Sequence, residues 1–202
     1  VLNPRTRVPV SIIIDDSTCL VNLNKFAIPQ FAVANPGKYD HYPWKSWPDE
    51  IPDNFVRKFG DWAEENGVKG KYSVVPYPAC VGRLDREILG WTQRELAESI
   101  QLVRERIMPN WDIHPEMVTH TRVIDTKTGH PYPEISPRYM ENWKWCGGRS
   151  VDEIADYMSY GLTILKNIGL PCEGLTTPGG FGSDARPQLA QAYAIRERIA
   201  LA

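Results

Sequence analysis

A run of β-branched residues that stops at two adjacent carboxylates, Ser11-Ile12-Ile13-Ile14-Asp15-Asp16, restricts this chain more than any other stretch. Ile12 to Ile14 predict a strand, spanning 8–14, that is buried on both faces. The middle of such a strand cannot hold two neighbouring acids, because taking an unpaired carboxylate out of water is very costly. At the C-terminal end the acids can sit at the mouth of a parallel sheet or barrel, where α/β enzymes place their sites. Adjacent side chains on a strand point to opposite faces, so Asp15 and Asp16 meet different neighbours. One can hold a metal while the other accepts a proton. The plainer alternative has Asp16 capping the next segment and Asp15 paired with an arginine.

The rest of the chain alternates strand and helix signals. Residues 17–53 form a long connection, in which His41-Tyr42-Pro43-Trp44-Lys45-Ser46-Trp47-Pro48 joins rings to stiff backbone. An ordered wall or lid accounts for that composition, as does a simple cover over the core. Asp53 reads as an N-cap, with Phe55, Val56, Phe59, Trp62 and Ala63 at helical spacing and Gly67 as the stop. A second strand follows at 71–75. Thr92 with Glu95 makes a capping box, and Leu96, Ile100, Val103 and Ile107 make one helical face. A third strand is expected within 116–124, then a turn at 125–129 and a ring-rich excursion over 130–149 that holds Trp143 and Trp145. Ser150 and Glu153 form another capping box, and Gly169 with Pro171 closes that helix. A fourth strand at 175–177 leads into Pro178-Gly179-Gly180-Phe181-Gly182, and Asp184 is placed to cap a last helix running to residue 201.

This alternation argues for parallel strands joined by crossovers. A closed barrel of that kind takes about 250 residues, and 202 residues with four strands leave either part of a barrel or an open sheet. The chain is read as one domain, 1–202, or as the N-terminal part of a larger barrel. A start at Val1 rather than Met is compatible with a leader removed or cut away. Charge is nearly balanced, 23 Lys and Arg against 25 Asp and Glu, so no basic stripe argues for nucleic acid. No apolar run is long enough to span a bilayer. Cys19, Cys80, Cys146 and Cys172 are far apart and leave the compartment open.

A second polar cluster is Trp111-Asp112-Ile113-His114-Pro115-Glu116-Met117-Val118-Thr119-His120. Glu116 and His120 are four apart, which on a helical turn brings them within about 6 Å, close enough to chelate one ion. On a straight strand they would be about 13 Å apart. A hydrogen bond between the two is the simpler use of the same spacing.

A strand ending in Asp15-Asp16, a strand–helix unit, a carboxylate/His cluster and a Gly-rich turn after a strand follow in order, and that order resembles the polysaccharide-deacetylase family, the NodB-homology type of carbohydrate esterase. Its first motif is an Asp-Asp at the end of the first strand, in which the first Asp is the catalytic base and the second binds the metal. The match is Asp15-Asp16. Its second motif is His-Ser/Thr-x-x-His with both His on the metal. Here it is Glu116-Met117-Val118-Thr119-His120, with the first His replaced by Glu116. Its third motif, Arg-x-Pro-aromatic-Gly, walls the groove and is matched by Thr176-Thr177-Pro178-Gly179-Gly180, without the Arg. The likeness spans roughly residues 8–182, and the family's later general-acid His has no counterpart, since no His follows His130.

The resemblance implies a deformed or partial (β/α) barrel with mostly parallel strands. It implies metal-assisted hydrolysis of an N- or O-acyl group on a carbohydrate, with a divalent ion, zinc first among them. Asp15 would take the proton of the attacking water, and Asp16, Glu116 and His120 would be the ligands. Trp44, Trp47, Trp143 and Trp145 would stack on sugar, and Thr177 and Pro178 would line the groove. Two other readings remain: a non-catalytic carbohydrate-binding protein on the same scaffold, and a metal-dependent glycosidase with two facing carboxylates.

Overall fold

The computed structural model describes residues 10–200, with side chains as far as Ile195. Val8 and Pro9 of the expected first strand, and residue 201 of the expected last helix, lie outside the described residues. The fold is mixed α/β around a three-stranded parallel sheet. Its strands are β1 (Ile12–Ile14), β2 (Gly70–Ser73) and β5 (Trp111–His114), in the order β1-β2-β5. Between them lie α1 (Leu23–Ala34), α2 (Asp53–Glu65), a small antiparallel hairpin of β3 (Gly82–Arg83) and β4 (Glu87–Ile88), and α3 (Gln93–Leu102). A second hairpin, β6 (Ile124–Asp125) with β7 (His130–Pro131), precedes α4 (Val151–Asn167) and α5 (Arg186–Ala200).

Register fixes what shares the mouth of the sheet. Ile14 is opposite Tyr72, and Ser73 is opposite His114, so the three strands end almost level. Beyond β5 the sheet gains one further parallel contact, a single bridge from Glu116 to Thr176. Thr176 N–H donates to Pro115 O at 2.9 Å and accepts through its own carbonyl from Met117 N–H at 3.0 Å. Beyond β2 the chain runs on between two loops, with Val75 N–H donating to Ser17 O at 2.9 Å and Tyr77 N–H to Val118 O at 2.9 Å.

Two apolar clusters support this frame. One holds Val74, Ile107, Trp111, Ile113, Ile164 and Leu165 around the sheet. The other packs Met117, Val118, Ile124, Tyr157, Met158 and Phe181 under the loops that follow β5. Each fully buried Ile or Leu contributes about 1.5–3 kcal/mol relative to exposure. Both expected capping boxes form: Thr92 and Glu95 start α3, and Ser150 and Glu153 start α4. The expected face of α4, from Ile154 through Met158 and Leu162 to Leu165, is buried. No described helix is long and apolar enough to cross a membrane.

Several expectations need correction. The third sheet strand is Trp111–His114 and not 117–124, because Met117 and His120 adopt left-handed backbone conformations that no strand can continue through. β1 is not buried on both faces: among the described residues it pairs with β2 alone, and Ile12 and Ile13 are 37% and 62% exposed. Helix α1 lies inside the long connection, hidden by Pro29 in its interior and by weak apolar periodicity. Asp53 is the first residue of α2 rather than its cap, and its carboxylate accepts the Ser99 hydroxyl at 2.7 Å. Phe55 and Trp62 lie on the exposed side of that helix, whose buried positions are Val56, Gly60 and Ala63. α5 begins at Arg186, two residues past Asp184. Among the described residues the sheet is open at β1 and does not close on itself.

Gly70 allows the close approach of β1 to β2. A Cβ there would meet Ile12 O at 1.8 Å and the Trp111 ring at 2.9 Å. Gly70→Ala should lower stability by about 1–3 kcal/mol or more, read as a drop in the urea midpoint at constant slope. Gly147→Ala, whose nearest contact would be 3.4 Å, should stay within about 0.5 kcal/mol of the parent.

Candidate metal and substrate site

The end of β1 delivers the acid pair to the sheet mouth. Asp16 takes a left-handed conformation, φ 59°, which turns the chain sharply there. Lys71, opposite Ile13 in the neighbouring strand β2, reaches the same mouth. Its ammonium donates a very short hydrogen bond to Asp15 Oδ1 and a 3.0 Å one to Thr176 Oγ1. It also lies 3.4 Å from Glu116 Oε2. Residues two apart on a strand share a face, and Ser73 accordingly follows Lys71 and donates its hydroxyl to Glu116 Oε2 at 2.9 Å. Glu116 itself is buried, 4% exposed, directly after β5.

The segment after Glu116 is neither a helical turn nor a straight strand. Left-handed residues Met117 and His120, φ 52° and 61°, fold it back so that the imidazole returns to the acids. One ligand atom each from Asp16, Glu116 and His120 lie within 4.8 Å of one another. His120 Nδ1 is 3.3 Å from Asp16 Oδ1 but lacks hydrogen-bond alignment, so it is a buried ring nitrogen without a hydrogen-bond partner. His120 Nε2 is 3.4 Å from the Asn142 amide. His114 does not join this group. It pairs with Asp112 at 2.8 Å and lies over Gly174, where a Cβ would meet its ring at 2.5 Å.

Burial governs the protonation of the group. It pushes the Glu116 carboxyl up, against the Ser73 hydrogen bond and the Lys71 charge, and the Asp15 and Asp16 charges push in the same direction as burial. It pushes the His120 imidazole down, against the pull of Asp16 and Asp15, and so favours the neutral ring that ligates metals. With all groups ionised, three carboxylates against one ammonium leave two negative charges, which suits a divalent cation. The residues present therefore fit a small divalent ion: two carboxylates, a neutral imidazole and an unpaired ring nitrogen.

Aromatic side chains adjoin His120 on one side. Phe31 of α1 lies 6.5 Å from the His120 ring and 5.4 Å from Trp143. Trp44, Trp47 and Trp143 are half-buried in one cluster with Phe31 and Tyr39. A cavity of about 660 Å³ lies between Tyr39, Asn142, Trp143 and the Gly179-Gly180 turn. A more apolar cavity of about 440 Å³ opens between Asp15, Asp16 and the α2 residues Phe55 and Phe59. Both volumes are within the usual range of small-molecule sites. Trp145, expected at the groove, is buried instead, its ring packed against Tyr157 at 4.5 Å and Phe181 at 5.9 Å. Thr177 is half-buried next to the Thr176 bridge, and Pro178 is buried, its carbonyl accepting Phe181 N–H.

Sequence reasoning missed Lys71, Ser73 and the ring of Phe31. A usable signal existed for the first two: Lys71 and Ser73 are polar residues at alternate positions of an expected strand whose other residues, Tyr72, Val74 and Val75, are apolar or aromatic. It also missed Glu141, which is fully buried behind His120. Compared with known protein families, curated proteins and solved structures, the chain matches none.

Burial raises the Glu141 carboxyl from 4.5 to about 7, against hydrogen bonds from Tyr157, Thr119 and His120. The folded state therefore holds this proton longer than the unfolded state does. Its contribution to stability is complete below pH 4.5 and is lost as pH rises through about 7. His120 acts with opposite sign, because a folded pKa depressed below 6.5 makes stability rise with pH up to that value. The stability difference between the parent protein and Glu141→Gln, followed by denaturant titration from pH 4.5 to 8, should fall across this window and then level off.

Proposed function

We propose that this chain is a metal-dependent hydrolase that removes an N- or O-acyl group from a carbohydrate, on a sheet that is part of a deformed (β/α) barrel of the polysaccharide-deacetylase type. The observation that carries this reading is the convergence of Asp16, Glu116 and His120, from two separate strand ends, beside the acid–ammonium pair of Asp15 and Lys71.

Asp16, Glu116 and His120 would hold the ion, with zinc the best match to two carboxylates and an imidazole. A bound divalent ion supplies Lewis acidity, which polarises an acyl oxygen and acidifies a water molecule. Asp15, exposed like Asp16 but outside the Asp16–Glu116–His120 set, accepts the proton of the attacking water. Lys71 holds Asp15 in place and, through Thr176 Oγ1, ties it to the strand-like segment beside Glu116. Trp143 and Tyr39 present ring surface to a sugar next to His120, and Trp44 and Trp47 extend the same aromatic cluster. The Gly179-Gly180 turn that follows Thr177 and Pro178 lines the cavity beside Trp143.

Lys71 also supports a second reading. Its ammonium already supplies countercharge to Asp15 and Glu116, as it would in a metal-free carbohydrate-binding protein. Metal content and turnover separate the two. Purified protein should carry about one zinc per chain or take it up, and Asp16→Ala should lose it. Asp15→Asn should keep the metal and lower deacylation of acylated sugars by about 10²–10⁴-fold. Glu116→His should keep the metal. If no metal is bound, and added zinc neither raises the melting temperature nor supports deacylation, the hydrolase reading is wrong and the binding protein takes its place.

A further inference from the structure

The residues that hold His120 are two neighbours, Glu141 and Asn142. Glu141 is fully buried, and its two oxygens accept three hydrogen bonds. Oε1 accepts Thr119 N–H at 2.8 Å and a very short hydrogen bond from the Tyr157 hydroxyl. Oε2 accepts His120 N–H at 2.7 Å. The Tyr157 hydroxyl in turn accepts Ile124 N–H at 3.4 Å, so the carboxylate is fixed from below by α4. A left-handed conformation at a non-glycine residue is costly and persists only where its surroundings enforce it. His120 adopts one, and a buried carboxylate grips its amide.

Asn142 acts on the other end of the residue. As placed, its Nδ2 lies 3.4 Å from His120 Nε2, and two buried atoms are left without partners, Asn142 Oδ1 and His120 Nδ1. A half-turn of the amide brings Oδ1 to Nε2 and puts Nδ2 where Oδ1 stood. Oδ1 then accepts Nε2–H, and the Nδ1 lone pair is left facing Asp16 and Glu116. Ligating imidazoles commonly donate their far N–H to such an acceptor, which sets tautomer and ring orientation.

We propose that Glu141 and Asn142 are positioning residues for His120: Glu141 locks its main chain in the left-handed turn, and Asn142 selects the Nε2–H tautomer, so that Nδ1 is presented to a divalent cation. The cation itself rests on the reading in the preceding section, whereas the tautomer and the locked turn can be measured without it. A neutral amide cannot replace Glu141. Whichever way a glutamine is turned, its NH₂ meets a backbone N–H, of Thr119 or of His120. An aspartate can replace Asn142, since it accepts Nε2–H as well or better.

The test combines long-range ¹H–¹⁵N spectra of the histidine rings, amide hydrogen exchange and calorimetric titration with zinc alone, all at pH 8. The metal-free parent should show His120 protonated at Nε2, and Asn142→Asp should keep both that tautomer and the zinc affinity. Asn142→Ala should give mixed tautomers and bind zinc about 10–100-fold more weakly. Glu141→Gln should speed exchange of the Thr119 and His120 amides and weaken zinc to a similar degree. Leu170→Ala, a cavity variant in the other core cluster, controls for lost stability and should leave zinc affinity unchanged. The proposal is overturned if Asn142→Ala keeps tautomer and affinity, if Asn142→Asp is as weak as Asn142→Ala, or if Leu170→Ala loses as much zinc as Glu141→Gln. A parent protein that binds no zinc, with the tautomer and exchange results as expected, would overturn the hydrolase reading and leave the positioning roles supported.

Discussion

The ammonium of Lys71 joins four segments that are far apart in the chain. It stands on the central strand β2 and reaches Asp15 after β1, Glu116 after β5 and Thr176 on the segment that bridges to Glu116. An ammonium among carboxylates offsets part of the desolvation that each would otherwise suffer. Without it, Glu116 would keep the Ser73 hydroxyl and little else to compensate its burial. The level register of the three strands matters for this reason, because a shift of one residue would turn Lys71 and Ser73 to the other face and leave the acids unanswered.

The backbone at the site is unusual at the positions that present candidate ligands. Asp16 and His120 are both left-handed, and Met117 between the candidate ligands Glu116 and His120 is too. These turns lift the side chains out of the strand directions, so that the ends of β1 and β5 face each other across β2. The strain is carried by what surrounds them: Glu141 under His120, and the Thr176 backbone, which accepts from Met117 N–H. Both supports come from later in the chain than the ligands they hold.

Much of the frame was legible in the sequence. The Ile12–Ile14 run, both capping boxes and the buried stripe of α4 lie where local pattern placed them, because each rests on near neighbours in the chain. What failed depended on distant ones. The exposure of β1 depends on which strands flank it, and three isoleucines look alike at an edge and at a centre. The segment 117–124 carries β-branched residues but is bent by conformations that no side-chain pattern announces. Trp145 looked like its neighbour Trp143, yet the two rings diverge, one into the core with Tyr157 and one toward Phe31. At the site, the grouping of Asp16, Glu116 and His120 was suggested by the acid pair at a strand end and the Glu116–His120 spacing. Glu141 and Asn142 could not be named, since a Glu-Asn pair in a loop has no periodic signature, and Lys71 shows only as one of two polar residues at alternate positions of β2.

The direction of the burial effects bears on what the site is suited to hold. Burial drives Glu116 toward its protonated form and His120 toward its neutral form. A metal-free protein carries the first as a cost, offset in part by Ser73 and Lys71. A divalent cation between Asp16, Glu116 and His120 would change the balance, because it would stabilise the carboxylates as anions and require the imidazole neutral. Ligation would then need no proton loss from the neutral His120 ring, and the ion's charge would oppose the rise at Glu116. Lys71 limits how far this goes: as a fixed positive charge 3.4 Å from Glu116 Oε2 it repels any ion that approaches that oxygen. The proposed set of Asp16, Glu116 and His120 would thus hold its ion beside a fixed ammonium that Asp15 and Thr176 Oγ1 already engage.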